Sequence, residues 1–196
     1  ADDCNIYVRS KQAGERVMQS ITHFLENKLR LRVNAAKSAV AYVQERKFLG
    51  YRLSPAGALG IAPASVKRVK ERIRQITRRN RGASMETVIS ELNRYLTGWV
   101  TYFRYARCRT HLKQLDEWLR RRLRCYRLKQ RKRAKPIADF LMEQGVPEWR
   151  SWLLALSGKG WWRMSGTPQA NEAMPIQWFK KVGLINLTTR YLLLTR

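Results

Sequence analysis

The spacing of hydrophobic positions changes along the chain, and each change marks an element. In residues 4–9, Ile6 and Val8 share one side of an extended segment, the two-residue alternation of a short strand. From 12 to 30 the period lengthens, and Val17, Met18, Ile21, Phe24, Leu25 and Leu29 form the stripe of an amphipathic helix. Strand character returns over 39–53. Val40, Tyr42 and Val43 lead in, a polar turn covers 44–47, and Phe48-Leu49-Gly50-Tyr51-Arg52-Leu53 follows. Ser54-Pro55-Ala56-Gly57 reads as a turn by its Pro and Gly. The order β-α-β-β is a piece of a mixed sheet rather than a whole domain.

At about residue 63 the pattern becomes helical. Val66, Val69, Ile73 and Ile76 form a first stripe, with Pro63 or Ser65 at its start and Asn80-Arg81-Gly82 at its end. Ser84 is the expected N-cap of a second helix with a continuous face that includes Val88, Leu92, Leu96, Val100 and Phe103. Leu112, Leu115, Leu119, Leu123 and Tyr126 make a third. Three amphipathic helices on short loops imply a small bundle. Shorter helical stretches follow after 134, around Ile137–Met142, Glu148–Leu156 and Ile176–Phe179. The predicted fold class is α+β and mostly α, in three parts: 1–62, 63–133, and a basic helical module at 134–196.

Charge changes this picture most. The 196 residues carry 40 Lys and Arg against 14 Asp and Glu, a formal net charge of +26. Self-repulsion on that scale calls for a polyanion, and the phosphates of nucleic acid reward dispersed cations by releasing counterions. Between 120 and 135 ten of sixteen positions are Lys or Arg and none is acidic, which predicts an exposed helix end facing phosphate. Six of the seven Trp lie at or after Trp118. Trp149 and Trp152 are expected in the core. Trp161 and Trp162, in a Gly-rich basic stretch, stand between core packing and stacking on bases.

Other chemistry is poorly supplied. Cys4, Cys108 and Cys125 are odd in number and lack metal-ligand spacing. Two histidines, His23 and His111, make a His-rich metal site or a Ser-His-Asp triad an unpromising reading. No apolar run approaches the ~18 residues of a membrane span, and no signal peptide opens the chain, so a cytoplasmic, nucleic-acid-associated protein is expected.

Asp2-Asp3, then a strand, an amphipathic helix, Asn34-x-x-Lys37 and Phe48-Leu49-Gly50-Tyr51 resemble the second half of a reverse-transcriptase palm. Leu92-Asn93-x-x-Leu96-x-Gly98-Trp99-x-x-Tyr102-Phe103-Arg104 resembles the maturase-specific region of group II intron-encoded proteins. So does Gly160-Trp161-Trp162-Arg163-Met164 with Asn171-Glu172-Ala173-Met174. The resemblance implies that the chain is the C-terminal part of a group II intron reverse transcriptase/maturase: the end of the palm at 1–62, the thumb at 63–133, and a DNA-binding-like tail at 134–196.

That resemblance implies roles. Asp2 and Asp3 would be the catalytic, Mg²⁺-holding carboxylates, since nucleotidyl transfer uses such a pair to place two metal ions. Lys37 would lie near the incoming nucleotide, or be an ordinary surface lysine. Phe48, Leu49, Gly50 and Tyr51 would form the primer-grip hairpin, or simply pack. Arg94, Arg104 and Arg107 would meet nucleic-acid backbone, as would Arg120, Arg121, Arg122, Arg124, Arg127, Lys129, Arg131, Lys132 and Arg133, with Trp161, Trp162 and Arg163 in the tail. The implied partners are group II intron RNA and target DNA. The fingers and first half of the palm lie outside this sequence, so these residues alone are expected not to polymerise DNA, and 4–53 are expected to lack sheet partners. Two readings stand beside intron-RNA binding: a polymerase role in a longer parent, and a general basic RNA- or DNA-binding protein or gene remnant.

Overall fold

The computed structural model describes residues 4–54 and 56–195. It divides into two units, 1–65 and 66–196.

In the first unit α1 spans Lys11–Asn27 and is capped by Ser10, whose hydroxyl accepts from the Ala13 N–H. Gly14 is the buried residue of α1. A Cβ there would come within 2.7 Å of Val40 Cγ1 and 3.3 Å of Val8 Cγ2, so the segments carrying Val8 and Val40 cross the helix where it has no side chain. Those segments are not the strands their alternation predicts: 4–9 and 40–43 are irregular. Alternation gives a segment a face, but a strand also needs a neighbour to take its N–H and C=O groups, and the described residues offer none. Ile6, Tyr7, Val8, Ile21, Phe24 and Tyr42 are exposed accordingly.

The sheet of this unit is a hairpin of β1 (Tyr51–Leu53) and β2 (Leu59–Ile61), paired Tyr51 with Ile61 and Leu53 with Leu59. The turn expected at 54–57 closes it, with the Gly57 N–H donating to the Ser54 carbonyl at 2.9 Å. Hydrophobic spacing does not predict β2, because three residues centred on a glycine carry little pattern. Residues 48–51 form a tight reverse turn instead of the start of a strand. Phe48 and Tyr51 exchange both backbone hydrogen bonds, while Leu49 and Gly50 take positive φ of 50° and 80°.

The remaining helices belong to the second unit, apart from the first turn of α2 (Pro63–Ile76), where the division falls. Val69, Ile73 and Ile76 are buried, as their spacing predicts. The expected cap of α3 (Met85–Tyr102) is present: Ser84 is extended and its hydroxyl accepts from the Thr87 N–H. Val88, Leu92, Leu96 and Val100 are buried. A 3-10 turn, Phe103–Tyr105, leads to α4 (Arg109–Arg131), the longest helix among the described residues. Then follow α5 (Ala134–Glu143), α6 (Glu148–Ala155), α7 (Trp161–Met164), α8 (Pro168–Ala173), α9 (Ile176–Lys181) and α10 (Leu187–Leu194).

Residues 134–196, expected as a module of their own, lie against the earlier helices within this unit. α5 pairs with α6, α7 lies on α4, and α10 packs on α3 and α4. Polar links fix α10. Asn93 of α3 donates to the Gly183 carbonyl and accepts from the Ile185 N–H. The buried Asp116 carboxylate accepts from the N–H groups of Leu187 and Thr188 and from the Thr188 hydroxyl at 2.8–3.0 Å. Asn186 accepts from the Thr189 N–H, so the first turn of α10 has its donors satisfied. Asn93, a residue of the motif that carries the resemblance, is thus a structural clamp.

The end of α2 is tied to α3 by Arg81. Its guanidinium donates to the Ile76 carbonyl and makes a two-pronged pair with Glu91 at 2.8 and 3.0 Å. The hydrogen bond from Arg81 holds the Glu91 carboxyl below its ordinary value. A lowered carboxyl stabilises the fold above its ordinary range, and the contribution fades as pH falls through the folded value. Glu91→Gln should therefore melt below wild type at neutral pH, and the gap should close on acidification. Thermal melts from about pH 2 to about pH 8, a range that brackets carboxylate titration, read this directly, and a gap independent of pH would contradict it.

Candidate nucleic-acid interface

α4 holds most of the basic tract, and its geometry departs from the exposed helix end expected. Lys132, Arg133 and Lys135 are exposed, beyond or at the edge of the helix. The cations of the tract that lie inside α4, from Arg120 to Arg131, are half-buried or buried, and helices after 134 lay aromatic rings on Arg121, Arg124, Arg127, Lys129 and Arg131. Arg121 lies 4.3 Å from the centroid of Trp162 and donates to that residue's carbonyl. Gly166 leaves room for it, since a Cβ there would come within 2.9 Å of the guanidinium. Arg127 and Arg131 share Phe140 at 5.2 and 4.9 Å, and Lys129 lies 5.3 Å from Trp161. Arg124 is buried over Phe179, with its Nε donating to the Met174 carbonyl, and burial pushes its pKa down to about 10. Guanidinium stems are apolar and their planes stack on rings, so these side chains serve partly as core.

The tail aromatics are corrected with them. Trp161 and Trp162 sit on a short helix, Trp161 half-buried and Trp162 partly exposed, each against a cation of α4. Trp149, expected in the core, is exposed, and Trp152 is half-buried.

Other predicted residues are dispersed. Arg94, Arg107 and Arg163 are exposed, Arg120 is half-buried, and Arg104 lies 4.7 Å from the ring centroid of the exposed Tyr105. In the first unit Lys37 closes a turn in which its N–H donates to the Asn34 carbonyl and side chain, so the Asn34-x-x-Lys37 spacing has a local structural use. Phe48, Leu49, Gly50 and Tyr51 make the tight turn ahead of β1. Asp2 and Asp3 lie outside the described residues. Among the described residues no group of three or more His, Cys, Asp and Glu side chains could hold a metal ion.

One constellation escapes a reading of the sequence. Trp118 on α4 faces Lys70 and Arg74 on α2, with Arg122 one turn further along α4. Arg122 is fastened down: its Nε donates to Thr77 Oγ1 at 2.7 Å, and a second nitrogen reaches the carbonyls of Arg74 and Thr77 at the end of α2. Burial holds its pKa below the ordinary value, and the charges of Arg74 and Arg79 push the same way. The i, i+4 spacings of Lys70 with Arg74 and of Trp118 with Arg122 are visible in sequence. That the two pairs meet is not.

Residues 66–144 match the family described as group II intron, maturase-specific domain. This stretch belongs to that family. The match begins with the second unit and ends after α5, so the maturase-specific segment takes in α3, α4 and the Trp118 constellation. No curated protein matches the chain. For residues 66–144 the match supports a maturase role in group II intron splicing. No helix among the described residues is long and apolar enough to cross a membrane.

Proposed function

We propose that residues 66–196 bind folded group II intron RNA through its phosphate backbone and support splicing, with the RNA performing the chemistry. The observation that carries this is the maturase-specific match over a helical unit whose cations outnumber its acids. Structured RNA is read mainly by shape and backbone, which suits Arg and Lys presented from rigid helices. The order Asp2-Asp3, Asn34-x-x-Lys37, Phe48-Leu49-Gly50-Tyr51 supports a wider role, Mg²⁺-dependent RNA-directed DNA synthesis performed with further palm and fingers segments, and the resemblance of the tail at 134–196 supports contact with target DNA.

The test is competition binding by the 196-residue chain, with folded group II intron RNA against unrelated structured RNA of equal length. The expected result is a preference for the intron at about 0.15 M salt, with affinity falling by about tenfold or more between roughly 50 and 200 mM as counterions compete. Equal affinity for both RNAs would reduce the protein to a general cationic binder.

A further inference from the structure

Three cations converge on one indole in the second unit. Lys70 Nζ lies 5.9 Å from the Trp118 ring centroid, the Arg74 guanidinium 5.4 Å and the Arg122 guanidinium 5.3 Å. Attraction to the ring face offsets part of their mutual repulsion. One ring does not neutralise three charges. Among the described residues no carboxylate forms an ion pair with any of the three, although Arg81, Lys135 and Arg150 of this unit each have one. Arg122 cannot swing away, because three hydrogen bonds fasten it to the end of α2. Arg74 is exposed and Lys70 half-buried, so the cluster is open to a large ligand.

We propose that Lys70, Arg74 and Arg122, set around Trp118, form a binding site for a phosphodiester group of an RNA backbone. Lys70 and Arg74 contact the non-bridging oxygens, Arg122 adds a fixed charge, and Trp118 is the floor that holds the cations together. With cations against its ring, Trp118 is not a platform for a base, so the site fixes position without reading sequence. This rests on the RNA-binding reading of the unit and names where the backbone is gripped.

The experiment compares three full-length chains: wild type, Lys70→Gln/Arg74→Gln, and Lys180→Gln/Lys181→Gln. The last removes the same charge from two exposed lysines of α9. Each is titrated with the intron RNA and with the unrelated structured RNA across a salt series. The α2 pair should lose about tenfold or more on both RNAs alike, with the slope of log K against log salt reduced by about one to two. The α9 pair should lose less than about threefold. The melting temperature of the α2 pair should be unchanged or higher, because like charges have been removed. Equal losses in the two double variants would leave only a diffuse field and overturn the site. A loss confined to one RNA would overturn backbone gripping in favour of base reading. A depressed melting temperature in the α2 pair would assign these side chains to the fold instead. Failure of wild type to bind either RNA would overturn the functional reading itself.

Discussion

Cut after residue 144, the helical unit should lose its cooperative thermal transition. That position is where the match to the maturase-specific domain ends, so residues 66–144 alone are the natural piece to express. The structure argues against the stability of that piece. Met174, Phe179 and Leu187 are buried, and they lie beyond the cut. At roughly 1.5–3 kcal/mol for each buried side chain of this size, these three correspond to roughly 5–9 kcal/mol. That is comparable to the whole margin of a typical domain, about 5–15 kcal/mol. The cut also removes the N–H groups that satisfy Asp116, the carbonyl that Arg124 uses and the ring that covers Arg121. Calorimetry of 66–144 beside 66–196 is the measurement. A sharp transition in the shorter chain, within a few degrees of the longer one, would show that the matched segment folds alone.

Asp116→Ala should destabilise the unit more than the loss of any of its surface ion pairs. The carboxylate takes two backbone N–H groups and one hydroxyl at the start of α10. Hydrogen bonds to a charged acceptor contribute more than neutral ones, and the alanine would leave buried donors without a partner. A loss of about 3 kcal/mol or more is expected, and a fall in melting temperature of roughly 10 °C. Asp116→Asn keeps one acceptor oxygen and should fall between. In urea the midpoint should drop while the slope stays constant. A stability within about 1 kcal/mol of wild type would mean that α10 is held by its apolar contacts and by the remaining polar links of Asn93 and Tyr191.

How much of this is legible in the sequence depends on how far apart the partners stand. The Ser84 cap, the α3 face and the α4 leucines follow from local spacing, and the structure has them where that spacing puts them. The link from Asp116 to Leu187, and that from Asn93 to Gly183, join residues 71 and 90 positions apart. No periodicity announces them, so the tail reads as a separate part. The same limit explains α4. A run of cations looks solvated until the rings that cover it are known, and Phe140, Trp162 and Phe179 come later in the chain. Residues 4–9 fail in the opposite direction. Their alternation is real, but a strand is defined by a neighbour that the segment does not itself encode. At the candidate site Arg122 stands out because it lies in the basic run. Lys70 and Arg74 do not, because cations ring much of α2 and nothing local sets two of them apart.

The covered guanidinium groups of α4 bear on when ordering happens. A helix so rich in positive charge, if bare, would stay frayed until a polyanion arrived, and its ordering entropy would then be subtracted from affinity. Here Trp162, Phe140 and Phe179 supply an internal counter-surface, so α4 is preorganised before any RNA is met. Association should resemble the docking of a rigid body, with little gain in helix content on complex formation.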